Sequence, residues 1–519
     1  MMKKVVYIFL LITFFGNIKA QTNAKLINAE LKNALTLFEN EDYLNAYNEY
    51  KRILGYDKKN ETASLNALIC KFKQGHPVDS VMDFLEVVQN SKIPEAMFYM
   101  GKVSHQLKNF DNAINYYNKY KAIDERKRKI SNDETNRMID ICLNAKKAIA
   151  NPHRSLISNL GDAVNSPYPD YVPLITVDET VLYFTSRREG SSNNKKDVYG
   201  NYHEDVYISR FKDGKWQTPE NLGPPINTDT HDACVALNPD GQHMIVYRTA
   251  PDLITGDLYV TALQPDGKWG PLQKYGKEIN SQFIETSACF STDTSEIYFS
   301  SNRPGGFGGK DIYRTKKLPN GKWSLPYNLG AAVNTSANED DPFLHPDGVT
   351  LYFSSDGHNT MGEYDVFKTV LNTETNEFTM PENLGYPINS VNNDRFFVLS
   401  GDGKHGYYSS VKEDTRGLSD IYMIDTRFGD NDMLIKHAFI YKDGEPGKAK
   451  ITLLDNENKK ISGIYNSNSR TGKFILLMNP LKSYRAIVED DGYNTVVIEI
   501  DPMAFEKEPS ELIIKMTKK

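Results

Sequence analysis

Asn320-Gly321-Lys322-Trp323-Ser324-Leu325-Pro326-Tyr327-Asn328-Leu329-Gly330, followed by Val333-Asn334, is one copy of a phrase that recurs through the middle of the chain. It joins a tight turn, a bulky aromatic, a proline, Leu-Gly or Tyr-Gly, and then Ile-Asn or Val-Asn. The only three tryptophans of the 519 residues, Trp216, Trp269 and Trp323, all take its aromatic position, 53 and 54 residues apart, and Phe378 takes it 55 residues later. A period of this length, rich in short strands, is the signature of β-propeller blades.

The rest of each repeat supports that reading. Apolar strands fall at 182–186, 244–247, 297–301, 351–355 and 406–410, several of them after Asp-Gly turns such as Asp240-Gly241 and Asp347-Gly348. Asp-Gly between apolar strands is a hairpin signal, because both turn residues need positive φ. The next strands open Asp205-Val206-Tyr207, Asp257-Leu258-Tyr259, Asp311-Ile312-Tyr313, Asp365-Val366-Phe367 and Asp420-Ile421-Tyr422. These are five, against four aromatic strands. An orphan phrase, Ser158-Asn159-Leu160-Gly161 with Val164-Asn165, stands ahead of the first repeat. The simplest topology lets residues 153–160 complete the last blade, which leaves no open edge. Residues 153–428 are therefore expected to form a five-bladed propeller.

Ahead of it, residues 21–151 carry apolar residues at helical spacing. Ala34 and Ala46 with Tyr50 are matched by Gly101 and Ala113 with Tyr117, so two helical hairpins repeat. After it, residues 432–519 alternate short strands with turns such as Asp443-Gly444 and Asp491-Gly492, which predicts a small antiparallel sandwich. Residues 1–20 read as an export signal: Lys3 and Lys4, an apolar run over 5–15, and Ala20 before Gln21. That run is short for a membrane span. The mature protein is expected outside the cytoplasm.

The net charge of −7, with no basic stripe among the aromatics, argues against nucleic acid as a partner. The four cysteines are widely spaced, with no metal-ligand pattern, and read as buried thiols rather than disulfides. No nucleophile elbow, zinc-binding helix or useful Cys/His pair occurs, so no catalytic residue, metal or cofactor is expected.

The helical spacing resembles tetratricopeptide repeats. The Pro-Asp-Gly turns and the run Ser301-Asn302-Arg303-Pro304-Gly305-Gly306-Phe307-Gly308-Gly309-Lys310-Asp311 resemble WD40-like repeats of the TolB (PD40) type. Gly447-Lys448-Ala449-Lys450-Ile451 and Thr471-Gly472-Lys473-Phe474 resemble carboxypeptidase regulatory-like domains. Export signal and three such modules, in this order, are similar to the OmpA-family outer-membrane proteins associated with type IX secretion and gliding, without the OmpA-like domain that ends those relatives. The resemblance implies a non-enzymatic adaptor of the cell envelope, in the periplasm or at the cell surface and associated with the outer membrane through a protein partner; a propeller that binds carbohydrate or peptidoglycan fragments is the alternative. By matching repeat positions, Phe38, Glu39, Phe98, Lys102, His105 and Gln106 would line a partner groove on the helices. The variable loops between second and third strands of each repeat offer Arg187, Arg188, Arg303, Phe307, His358 and Arg416 as a second binding face, since variable loops on a rigid scaffold carry binding.

Overall fold

The computed structural model describes residues 25–519 apart from 154, 198–199, 402, 427–433, 458, 479–481 and 503–511. Residues 1–20, which read as an export signal, and the junction near 428–432 lie outside the described residues. The chain forms two compact units: residues up to Cys142 together with Lys196–Asn201, and Leu143–Lys195 together with Tyr202–Lys519.

The first unit is helical. Helix α1 covers 25–39; α2 (Tyr43–Tyr56), α3 (Glu61–Lys73), α4 (Leu85–Gln89), α5 (Pro94–Gln106), α6 (Phe110–Lys121) and the start of α7 (Asn132–Ala150) follow. Asp42, Asn60 and Asn109 cap α2, α3 and α6, each accepting from the backbone N–H three residues on, which satisfies a donor the helix cannot. Small residues set the closeness of the hairpins. A Cβ on Gly101 would stand 2.5 Å from the ring of Tyr117, and Ala34, Ala46, Ala113, Tyr50 and Tyr117 are all fully buried. Between the two hairpins, Gly75-His76-Pro77 ends the helical run. Gly75 takes a left-handed φ of 74°, and Val78–Phe84 winds as a 3-10 helix before α4.

The second unit is rich in strands. Five antiparallel sheets follow one another along the chain, an arrangement compatible with a propeller. Their first three strands are Asp170–Ile175, Val181–Ser186 and Asp205–Lys212 in the first sheet; Asp232–Leu237, His243–Thr249 and Gly256–Ala262 in the second; Ala288–Phe290, Glu296–Ser301 and Asp311–Lys316 in the third; Glu339–Leu344, Thr350–Ser355 and Asp365–Asn372 in the fourth; and Asp394–Leu399, His405–Ser410 and Asp420–Asp425 in the fifth. The outer strand of the fifth sheet is Leu156–Asn159, which pairs antiparallel with Asp420–Asp425 in the register Leu156↔Asp425.

The expected aromatic strand is shorter than its sequence suggests. Trp269 and Trp323 make single bridges, to Leu263 and Lys317, and Lys215–Trp216 and Glu377–Phe378 are two residues long. A proline follows each (Pro219, Pro271, Pro326, Pro381) and lacks the N–H that would continue the ladder. Pairing resumes beyond it at Glu220–Asn221, Gln273–Lys274, Tyr327–Asn328 and Glu382–Asn383.

The asparagines of the repeat explain what replaces the missing ladder. Asn334 Oδ1 accepts from Ile312 N at 2.8 Å, and its Nδ2 donates to Ile312 O at 3.1 Å, so its amide acts as an extra peptide beside the third strand. Asn227, Asn280, Asn389 and Asn165 do the same for Val206, Leu258, Val366 and Ile421. The Asn of Asn-Leu-Gly sits beneath. Asn328 accepts from Gly330 N and Asn334 Nδ2, and donates to Asp311. In the second sheet Lys274 stands in its place and pairs with Asp257 at 2.7 Å.

The aromatics pack across sheets. Trp269 meets Tyr183 of the first sheet edge-on at 5.8 Å, and Phe378 meets Tyr298 of the third at 6.5 Å. Trp216 is half-buried and contacts Phe211 of its own sheet. Beyond the five sheets lie two more. One joins Leu434–Lys442 to Glu445–Pro446, Lys473–Met478 and Leu512–Met516; the other runs Ile461–Asn466, Lys450–Asp455, Tyr484–Glu489, Val496–Ile500. They share a core that includes Ile440, Ile451, Leu476 and Val488. Contrary to a purely antiparallel expectation, Leu512–Met516 runs parallel to Leu434–Lys442; the long connection back to it permits that direction.

Two outcomes follow for stability. Replacing Trp269 by Ala should cost about 3–5 kcal/mol, and replacing Trp216 clearly less, as read by denaturant unfolding of each variant. Asn165→Ala removes the amide that accepts from Ile421 N–H and donates to its C=O, leaving Leu160 N–H on that carbonyl, and should cost about 1–3 kcal/mol; an unchanged midpoint would mean that the fifth sheet does not need this clamp.

Candidate functional site

Three of the loop residues singled out from the sequence hold the sheets themselves. Each first strand begins at or near a buried acid: Asp170, Asp232, Glu285, Glu339 or Asp394. A basic group at the end of the second strand or just after it reaches back beside it. Arg188 donates to Val164 O at 2.7 Å and to Asp170 at 2.6 Å. Arg303 donates to Ile279 O at 2.8 Å and to Glu285 at 3.2 Å. Arg248, His358 and Lys412 reach the carbonyls of Ile226, Val333 and Pro387 in the same way. Arg188 and Arg303 also lie over two aromatic rings each. These groups are anchors of the scaffold, and their recurrence is the recurrence of the fold.

The remaining loop candidates are placed differently. Arg416 pairs with Asp162. Phe307 is 51% exposed on a loop held tightly by its flanking glycines: Gly309 N donates to Ala337 O at 2.7 Å, and a side chain on Gly308 would strike the backbone at 335–337. Arg187 lies 3.4 Å from His231 Nδ1 and belongs to the cluster described next.

That cluster stands at one mouth of a cavity of about 430 Å³ lined by the first strands of all five sheets. The residue after the strand-opening acid faces it in every repeat, and it is different each time: Tyr171, Ala233, Thr286, Asp340, Arg395. Arg395 bonds Asp341 through Nε (2.8 Å) and Nη2 (2.9 Å), and Asp340 through Nη2 (2.9 Å). Lys310 Nζ donates to Asp340 at 2.9 Å and Thr286 at 2.8 Å, and Ser287 bonds Asp340 from the other side. The Arg395 guanidinium lies 4.4 Å from the Tyr364 ring and 4.7 Å from that of Phe396. Phe396 stacks on Tyr171 at 6.0 Å, and the Tyr171 hydroxyl bonds Glu204.

The electrostatics follow from this pairing. Burial alone would raise the Asp340 carboxyl, but the charges of Lys310 and Arg395 outweigh it and hold Asp340 well below the usual range. Glu204 is brought down to about 2: burial works against ionisation, and the hydrogen bond with His231 and the Arg187 charge overcome it. The backbone is strained at the same place. Val172, Asp341 and Phe396, each two residues past the opening acid, take φ of 53°, 53° and 58°, where each first strand breaks register with its neighbour. Left-handed backbone in a β-branched residue is uncommon, and such strain gathers at functional sites.

The opposite end of the cavity is apolar, with Val177, Pro239, Pro346 and Gly401. These residues also line a second cavity, of about 300 Å³, whose far wall is Tyr465, Asn466, Lys473 and Phe474 of the C-terminal sheets.

On the helices, Phe98 and His105 are in the core rather than on a groove surface. Phe98 is 3% exposed and packs on Tyr117 and Tyr120 of α6. His105 is 4% exposed, 3.3 Å from Cys142 Sγ in α7 and edge-on to Phe110. Helix α5 is covered on two sides, which the single-helix pattern does not reveal. Phe38, Lys102 and Gln106 are half-buried and Glu39 exposed. Cys70, Cys142, Cys234 and Cys289 are buried free thiols, pushed up to about 12 by burial. Among the described residues no group of His, Cys, Asp or Glu is placed to hold a metal ion, and no helix is long and apolar enough to cross a membrane.

No family model and no curated protein matches the chain. Among solved structures it is similar to a candidate TolB from Agrobacterium tumefaciens, 14% identical over 63% of this chain and 97% of that one, with a TM-score of 0.31. It is similar to an endo-arabinase from Bacteroides thetaiotaomicron, 15% identical over 50% of this chain and 95% of that one, TM-score 0.33. An α-L-arabinofuranosidase from Lactobacillus brevis, 13% identical over 52% and 94%, also has a TM-score of 0.33. At this degree of likeness the activities of those proteins do not transfer to the chain.

One carboxyl of the scaffold gives a pH signature. Asp365 opens the third strand of the fourth sheet and accepts from Met361 N at 2.8 Å and Asn383 at 2.7 Å. Burial, aided by the Asp394 charge, pushes it to about 8 against those hydrogen bonds. Its unfolded value is about 3.9. The stabilisation from the retained proton is therefore complete below about pH 4 and lost as pH rises through about 8. Asp365→Asn cannot titrate, so its melting temperature should fall less than that of the native protein between about pH 5 and about pH 9. Parallel curves for the two would show that Asp365 is ionised in the folded state.

Proposed function

We propose that the protein is a non-enzymatic binding adaptor of the cell envelope, and that its ligand site is the charged mouth of the cavity among the five sheets. The observation that carries this reading is the closed pairing of the mouth. Asp340, Asp341 and Glu204 stand against Lys310, Arg395 and Arg187. A general acid needs a proton near the working pH; Asp340 and Glu204 are held ionised, and Asp341, which burial pushes up, is bonded by two nitrogens of Arg395. What remains is a rigid, strained rim of donors, acceptors and aromatic faces above an apolar throat, the ordinary make-up of a binding pocket.

In this reading the five sheets are the blades of one closed five-bladed propeller. The α1–α2 and α5–α6 hairpins are tetratricopeptide repeats, and the C-terminal pair of sheets is a carboxypeptidase regulatory-like module. The protein is exported, lies in the periplasm, and is held at the outer membrane by a protein partner of a secretion or gliding assembly, as the family resemblance implies. The surface left on the helices by Phe38, Glu39, Lys102 and Gln106, and the rigidly held Phe307, are the places for that partner. Two surfaces engaging one assembly would gain from multivalency.

A photo-reactive residue placed singly at Tyr247, Phe307 or Leu325 in living cells tests the reading. Tyr247 lines the cavity, and Leu325, between Trp323 and Tyr327, is 83% exposed. Discrete adducts are expected from Tyr247 and Phe307 but not from Leu325. Adducts from Leu325 alone, or from none of the three, would sink the proposal.

A further inference from the structure

The geometry points to a neutral oligosaccharide, bound by its end, as the ligand of the cavity mouth; this rests on the mouth being a binding site at all. Charge comes first. Three carboxylates and three cations face one another there, and each is engaged: Asp340 with Lys310 and Arg395, Asp341 with Arg395, Glu204 with Tyr171 and beside Arg187 and His231. An entering ion would have to break one of these pairs and leave its partner buried and uncompensated, which is strongly unfavourable. A neutral ligand rich in hydroxyl groups can use the pairs as they stand. Lys310 spends two of its three donors on Asp340 and Thr286. Carboxylates and a guanidinium fixed by each other offer paired acceptors and donors at the spacing of neighbouring hydroxyls, with no cost in ordering them. Tyr171, Tyr247 and Phe396 add apolar faces to the cavity wall, suited to the C–H face of a sugar ring.

The inner strands disfavour a peptide. Strand addition requires a regular row of N–H and C=O groups along an edge. Four of the five first strands break register, between Tyr171 and Leu174, Cys234 and Ala236, Asp340 and Phe343, and Arg395 and Val398. Pro173 and Pro342 remove donors at two of those breaks, and the left-handed residues turn the chain at three. The far end adds a direction. Past Val177, Pro239, Pro346 and Gly401 stand Tyr465 and Phe474 of the C-terminal sheets. A ligand therefore enters from the loop side and presents a chain end.

The test is titration calorimetry on the full-length protein with neutral hexasaccharides of glucose, mannose, xylose, arabinose and N-acetylglucosamine, with oligogalacturonate as the anionic counterpart. At least one neutral chain should bind with Kd below about 1 mM. Tyr247→Ala and Lys310→Ala should each weaken it at least about tenfold while melting as folded proteins, and Leu325→Ala should leave it unchanged. Tighter binding of oligogalacturonate, binding that both cavity variants retain, or no binding by any neutral chain would overturn the inference. Photo-adducts from Tyr247 to a polypeptide, with no glycan bound, would remove the glycan and leave the mouth as a binding site.

Discussion

An asparagine amide used as a peptide bond is the constraint on which the five-sheet region rests. Beside the third strand, the carbonyls of Val206, Leu258, Ile312, Val366 and Ile421 each accept from one backbone N–H of the outer segment. One side chain per repeat supplies both a donor and an acceptor there. A second residue, Asn in four repeats and Lys274 in the other, ties the acid at the head of the third strand to the same point. That acid in turn accepts from the backbone of the preceding loop, as Asp311 does from Phe307 and Gly308. The loops are thus set by the clamp, and the cavity rim by the loops.

The same scaffold separates what must be constant from what can vary. A buried acid at or near the head of each first strand is fixed by Ser or Thr hydroxyls and, in three sheets, by an arginine. The next residue lines the cavity and is Tyr, Ala, Thr, Asp and Arg in turn. Chemistry at the rim is written in these positions, one per repeat, on a frame that recurs.

How far the sequence discloses this depends on the range of the interaction. Hairpins announced by Asp-Gly, the buried middle strands and the return of 156–159 to the last sheet are legible, because local turns and a broken repeat encode them. The split of the outer strand is readable in principle from Pro326 and its counterparts. Arg188 and Arg303 look like surface loop residues because the acids they meet lie 18 positions away, one strand back. The rim escapes altogether: Arg395 and Asp340 are 55 residues apart, in different repeats, and no local pattern joins them. Phe98 and His105 escape for a related reason. A helix read alone shows one apolar stripe, and the second cover comes from Cys142, 37 residues beyond His105.

The return of Leu156–Asn159 to the fifth sheet also has a kinetic side. Asn165 and Ile421 are separated by 256 residues, so their contact forms only after nearly the whole region is available. The entropy of closing so long a loop rises slowly with its length, but contacts of such sequence separation slow folding. A chain still emerging from a ribosome holds four sheets that can each form locally and a fifth whose outer strand, 156–159, waits for its partner. Until Asp420–Asp425 arrives, the third-strand partner of 156–159 does not exist, and both edges stay open to pairing with other chains. Closure of the fifth sheet is for that reason a terminal event of synthesis, and the interval before it is when this region is most exposed to aggregation.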